Sequence, residues 1–176
     1  MADRPFNVLF LCTGNSARSL LAECLVNHLG QGRFRGYSAG SHPKGEVHPL
    51  TIRELQRNGL SIDGLRSKDM AEFEGADAPQ MDFVFTVCDQ AAAEVCPVWP
   101  GHPMTAHWGV EDPAAADGDE RTKEAAFTKA FHELRNRIAI FIELPIESLN
   151  EPQLKERLAE IGRIAGSDFG GKGDER

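Results

Sequence analysis

The chain has 176 residues, 41% of them hydrophobic and 26% charged, with a net charge of −8; this is length enough for one substantial core at an ordinary soluble composition. The acidic balance argues against non-specific binding to nucleic acid or to an anionic membrane surface, and no apolar stretch reaches transmembrane length. An apolar strand follows so closely on Met1 that no signal peptide is expected, so the protein reads as cytoplasmic and its four cysteines as reactive, ligating or core thiols rather than static disulfides.

Val8 to Leu11 is an unbroken apolar run, the pattern of a strand buried on both faces of a parallel sheet. Cys12 ends it, Thr13 to Ser16 form a small polar loop, and from Ala17 the pattern turns helical, with Leu20, Leu21, Cys24 and Leu25 on one face and Gly30 as the C-cap. Cys24 reads as a packed core residue. Phe34 to Ala39 predicts a second strand, and Ser41 to Val47 a polar loop. Pro49 to Asn58 predicts a helix with Ile52 and Leu55 inward, and Ser67 to Phe73 one short helix.

Phe83 to Val87 is a second buried apolar run, closing on Cys88. Asp89 to Val95 predicts a short helix capped by Asp89, Met104 to Trp108 a fourth strand, and Gly109 to Gly118 a loop containing Asp112-Pro113. The longest helix is predicted over Asp119 to Leu144, with Phe127, Phe131, Leu134, Ile138 and Phe141 in one stripe and Arg135 and Arg137 placed to suit the macrodipole. Beyond Pro145, Glu151 to Ile164 predicts an amphipathic helix carrying Leu154, Leu158 and Ile161, and Gly166 to Arg176 is expected to be disordered. Strands alternating with helices predict an α/β protein with a doubly wound, four-stranded parallel sheet and its chemistry at the carboxyl ends of the strands. Residues 1–145 would form the catalytic domain, 146–165 a helical extension and 166–176 a tail.

The loop after Cys12 carries the chemistry. A loop opening onto a helix N-terminus turns several backbone N–H groups toward one point, so Thr13, Gly14, Asn15, Ser16, Ala17, Arg18 and Ser19 form a candidate oxyanion cradle. Arg18 adds a planar, permanent charge. The same positive field is expected to depress the Cys12 thiol toward thiolate, helped by a hydrogen bond from Ser19. The result is a nucleophile inside a cradle for phosphate or a phosphate look-alike.

Cys12-Thr-Gly-Asn-Ser-Ala-Arg18-Ser19 after an N-terminal strand, with Ser38-Ala39-Gly40, resembles the low-molecular-weight protein tyrosine phosphatase superfamily. Val84 to Asp89, then Cys96-Pro97-Val98-Trp99-Pro100, then His107-Trp108-Gly109 leading to Asp112-Pro113-Ala114, resemble the thioredoxin-coupled arsenate reductases of that superfamily. The resemblance implies that Cys12 attacks arsenic while an acid, for which Asp112 is the candidate, protonates the departing water. Cys88 then attacks Cys12 to release arsenite, and Cys96 carries the disulfide outward to thioredoxin or another thiol donor. No metal or cofactor is implied beyond that reductant. Some members hold a structural potassium ion near this loop; Asn15, Glu23 and Ser38 match its polar surroundings, and Lys68 is expected to replace the cation and pair with Glu23.

Three rivals remain open. A phosphatase would use the same Cys12, Arg18 and Asp112 on a phosphomonoester, although Ala114-Ala115-Ala116 offers no aromatic wall for a phenol. Cys88, Cys96, His102 and His107 lack the paired spacing of a structural zinc site. A non-catalytic oxyanion-binding module would need no nucleophile.

Overall fold

The computed structural model describes residues 4–88 and 103–164. Strand β1 (Phe6–Cys12) lies at the centre of a four-stranded sheet between β2 (Phe34–Gly40) and β3 (Phe83–Thr86), with β4 (Met104–His107) beyond β3; every pairing is parallel. Alternation along β1 buries both faces. Val8, Phe10 and Cys12 join the main core with Phe83 and Phe85, while Leu9 and Leu11 pack with Val84, Ala39, Phe73 and Met81 on the other side.

Helix α1 (Arg18–Leu29) follows β1, and α2 (Pro49–Arg57) follows β2. The longest helix, α3 (Glu120–Ile142), begins at Asp119, whose Oδ1 accepts from the Thr122 N–H at 2.9 Å. Helix α4 (Glu151–Gly162) opens with a reciprocal capping box between Asn150 and Gln153. Leu21 and Leu25 of α1, Phe131, Leu134, Ile138 and Phe141 of α3, and Leu154, Leu158 and Ile161 of α4 all enter the main core. The boundary expected after residue 145 therefore falls between two helices that share one core. None of the helices in the described residues is long and apolar enough to cross a membrane.

Several local expectations change. Between Ser67 and Phe73 only Met70–Phe73 coils, as a 3-10 turn, because Asp69 caps it by accepting from the Ala71 N–H. Gly30 is the C-cap of α1 as expected, its N–H bound to Val26 O, with ordinary helical backbone (φ −75, ψ −16) and the left-handed residues Gln31 and Gly32 following it. Arg137 does not serve the macrodipole of α3; it is 4% exposed and its guanidinium bonds the carbonyls of Trp108, Gly109 and Ile164. It lies three residues after Leu134 on the inward stripe, so its charge is satisfied by carbonyls rather than by solvent. The helix expected over Asp89 to Val95, and the tail after 165, lie outside the described residues.

Trp108 ties α4 to the sheet. Its ring is fully buried and stacks on Phe85 at 4.0 Å between centroids, and its Nε1–H donates to the Leu158 carbonyl at 3.0 Å. Gly162 lets the two segments touch: a Cβ there would lie 2.5 Å from the His107 carbonyl oxygen. Strand order reverses between β1 and β3, so the crevice beyond their carboxyl ends is the switch point where such sheets take ligands. Cys12 and Cys88 both stand there.

Candidate active site

β1 ends at Cys12 and α1 begins at Arg18; the loop between them turns its carbonyls outward. Thr13 O accepts from His42 N (2.9 Å), Gly14 O from Lys44 N (2.9 Å), and Ser16 O from His48 N (3.0 Å) and the Thr51 hydroxyl (2.8 Å). Peptide groups are planar and trans, so each outward carbonyl sets the following N–H inward. The N–H groups of Gly14, Asn15 and Ala17 therefore face into the loop, beside the first N–H groups of α1. The pocket they enclose has a volume of about 200 Å³, with Cys12, Arg18, Asp112 and Ala114 on its walls. Gly40 has to be glycine here, since a Cβ would lie 2.5 Å from Thr13 O and 3.0 Å from the Asn15 side chain.

Asn15 holds the turn. It is fully buried with φ +46, a left-handed conformation that asparagine tolerates better than most residues. Its Nδ2 donates to Ser19 Oγ (2.8 Å) and Ser38 Oγ (3.0 Å), and its Oδ1 accepts from the Lys68 N–H (2.8 Å). Beneath it, Ser38 Oγ donates to Glu23 Oε1 at 2.6 Å, and the Lys68 ammonium stands 3.7 Å from that same oxygen. Lys68 also donates to Arg66 O at 2.8 Å and lies 3.4 Å from Ser38 Oγ. Burial raises the Glu23 carboxyl and lowers the Lys68 ammonium, each partly offset by the other's charge. The five residues expected to support the loop (Asn15, Ser19, Glu23, Ser38 and Lys68) thus form one connected network.

Arg18 bridges the loop to the segment carrying Asp112. Its NH1 donates to Val110 O at 2.9 Å and its NH2 lies 3.6 Å from Asp112 Oδ2. Its Nε is buried and has no acceptor among the described residues, as suits a donor that faces a bound oxyanion. Asp112 forms the Asp-Pro turn, its Oδ1 capping the 3-10 turn Pro113–Ala115 by accepting from Ala114 N at 3.0 Å, while its Oδ2 lies 3.6 Å from Arg18 NH2 at the pocket wall.

The cysteines give the main correction. Cys12 and Cys88 are buried free thiols, 4% and 2% exposed, and belong to the same core cluster at the carboxyl ends of β1 and β3. The Cys88 contact, then burial, raises the Cys12 thiol, against the pull of Arg18 and the Gly14 N–H. The expected isolated thiolate is therefore a thiol pair, in which two adjacent negative charges are disfavoured. Ser19 bonds with Asn15, and the group that donates to the Cys12 sulfur is the Gly14 N–H. Thr13 Oγ1 also lies 3.5 Å from Cys88 Sγ. Cys24 is in the core, its thiol pushed up to about 12 by burial. Cys96 and His102 lie outside the described residues. Among the described residues no cluster of three or more His, Cys, Asp or Glu side chains could hold a metal ion.

Two pocket residues, His42 and Lys44, were not singled out from the sequence, where residues 41–47 read only as a polar loop. Their backbone N–H groups secure the cradle's carbonyls, a long-range contact that no local pattern announces.

The model of the low molecular weight phosphotyrosine protein phosphatase family matches residues 7–154. An arsenate reductase of Bacillus licheniformis is 37% identical over 138 residues, 77% of this chain and 94% of its own length. A solved structure described as an arsenate reductase in the phosphate binding state superposes with a TM-score of 0.64 at 27% identity, over 78% of this chain and 96% of that one. A thioredoxin-dependent arsenate reductase of Corynebacterium glutamicum gives 0.58 at 25% identity, over 80% of this chain and 62% of that one. The chain thus spans less than two thirds of the Corynebacterium protein.

Proposed function

The chain belongs to the low molecular weight phosphotyrosine protein phosphatase family, and from that premise we propose that it is an arsenate reductase. The observation that carries this reading is a second buried thiol, Cys88, at the same sheet edge as Cys12, its sulfur 3.5 Å from the hydroxyl of Thr13, the residue after Cys12. A phosphatase resolves its cysteine adduct with water and needs one thiol; a reductase must supply two electrons, and a second sulfur beside the first can supply them.

Arsenate binds in the cradle against Arg18 and the inward N–H groups. Cys12 attacks arsenic as its proton passes to an arsenate oxygen. One arsenate oxygen departs as water, taking a proton from Asp112, and a Cys12–arsenic(V) bond forms. Cys88 attacks the Cys12 sulfur, its thiol proton passing to an oxygen of the departing arsenic group. The sulfur–arsenic bond breaks with its electron pair left on arsenic, so arsenite is released and a Cys12–Cys88 disulfide remains. Cys96 then attacks Cys88, freeing Cys12, and an external dithiol of the thioredoxin type reduces the Cys88–Cys96 disulfide. Electrons come from thiols throughout, so the scheme calls on no resident metal or cofactor. It suits the reducing cytoplasm.

Ala114 at the pocket wall fits a small inorganic oxyanion better than an aryl ester. The test incubates the reduced protein with arsenate, thioredoxin, thioredoxin reductase and NADPH, beside a parallel assay on an aryl phosphate. Arsenate-dependent NADPH oxidation is expected. Hydrolysis of the ester with no arsenate turnover would sink the reductase in favour of a phosphatase.

A further inference from the structure

Lys44 lies outside the cysteine chemistry, yet three observations place it at the anion. It lines the pocket that contains Cys12 and Arg18. Its stem lies over the cradle, since a Cβ on Gly14 would sit 3.2 Å from Lys44 Cε, and its N–H is bound to Gly14 O at 2.9 Å. Among the described residues no carboxylate stands within the 4.0 Å of an ion pair with its ammonium. On a chain of net charge −8, a cation at an anion pocket without a carboxylate partner is conspicuous. Its charge, after burial, is the next largest influence lowering the His48 imidazole.

We propose that Lys44 is a second cationic contact for the bound oxyanion, closing over the outer oxygens while Arg18 holds the inner ones. The proposal deepens the oxyanion reading of the site. A divalent tetrahedral anion carries more charge than one guanidinium neutralises, and a cation on the opposite wall supplies the balance. The lysine suits an entrance position: it is a mobile point charge that can follow the ligand in and release it, whereas Arg18 is fixed by Val110 and Asp112. The Lys44 main chain orders the loop and its side chain meets the ligand, so the two roles separate by mutation.

Lys44→Met keeps the apolar stem over Gly14 and removes only the charge. Titration calorimetry of inorganic phosphate into the reduced protein should show affinity weakened by about tenfold in Lys44→Met, between the value of an exposed ion pair and that of a partly desolvated one. Lys44→Arg should restore most of it, and the parent's affinity should fall more steeply with added salt than that of Lys44→Met. An unchanged melting temperature would separate lost charge from lost structure. A change in affinity below twofold, or no phosphate binding by the parent, overturns the proposal. Because phosphate binding is read without turnover, a parent that binds phosphate but does not reduce arsenate would sink the reductase reading and leave this one standing.

Discussion

Replacing Lys68 by methionine would remove one charge from the buried pair beneath the anion loop and leave the other behind. Glu23 would keep its bond from Ser38 but lose the ammonium 3.7 Å away. Breaking a fully buried pair from one side costs about 3–5 kcal/mol. Glu23 retains 18% of its side-chain exposure, so the expected cost is lower, about 2–3 kcal/mol. In a chain of this size that lowers the melting temperature by about 4–12 °C. Glu23→Gln leaves the Lys68 ammonium with the Arg66 carbonyl and Ser38 as acceptors and should cost less, about 1–2 kcal/mol. The double variant contains no stranded charge and should sit within about 1 kcal/mol of the parent. Urea unfolding followed through tryptophan fluorescence, to which the buried Trp108 contributes, gives all four corners of the cycle. These losses imply a coupling energy of about 2–5 kcal/mol. Additive losses would refute the reasoning, because they would mean that the two residues hold the loop independently.

Removing the second sulfur by Cys88→Ala takes away the largest influence that raises Cys12. Alkylation of Cys12 by iodoacetamide, followed against pH by mass spectrometry, should then titrate at lower pH than in the parent; an unmoved profile would assign the rise to burial alone. Cys96→Ser under arsenate turnover should accumulate a Cys12–Cys88 disulfide, seen by peptide mapping, and its absence would count against the relay. Gly162→Ala drives a methyl group into the His107 carbonyl and should destabilise the protein by about 1–3 kcal/mol; a loss below about 0.5 kcal/mol on the same urea curve, the size of an ordinary surface change, would show that α4 moves aside freely. With the Lys68 ammonium already beside Glu23, potassium and sodium chloride should give equal melting temperatures, and a selective rise with potassium would overturn that.

The strands were legible because two unbroken apolar runs can be buried only between covered faces, and the cradle because Cys12, a small polar loop and Arg18 stand at a strand-to-helix junction. What escaped were effects of distant neighbours. Nothing around Cys12 in the chain announces that the Cys88 thiol will stand beside it and raise its pKa. Arg137 was placed to suit the helix macrodipole until the Ile164 carbonyl, 27 residues on, was found bound to its guanidinium. Gly30 caps its helix as expected, while the left-handed backbone that follows at Gln31 and Gly32 had no local signal. In each case local pattern predicted the element and tertiary contact decided the chemistry or the angle.

Arg137 also bears on the order in which the molecule can be completed. One side of its guanidinium grips Gly109, three residues before Asp112, and the other grips Ile164. During synthesis from the N-terminus, the loop around Cys12 can close long before α4 has left the ribosome. The segment bearing the acid gains its last brace only when Ile164 arrives. A nascent chain would thus pass through a stage able to hold an anion before it is fully equipped to transform it.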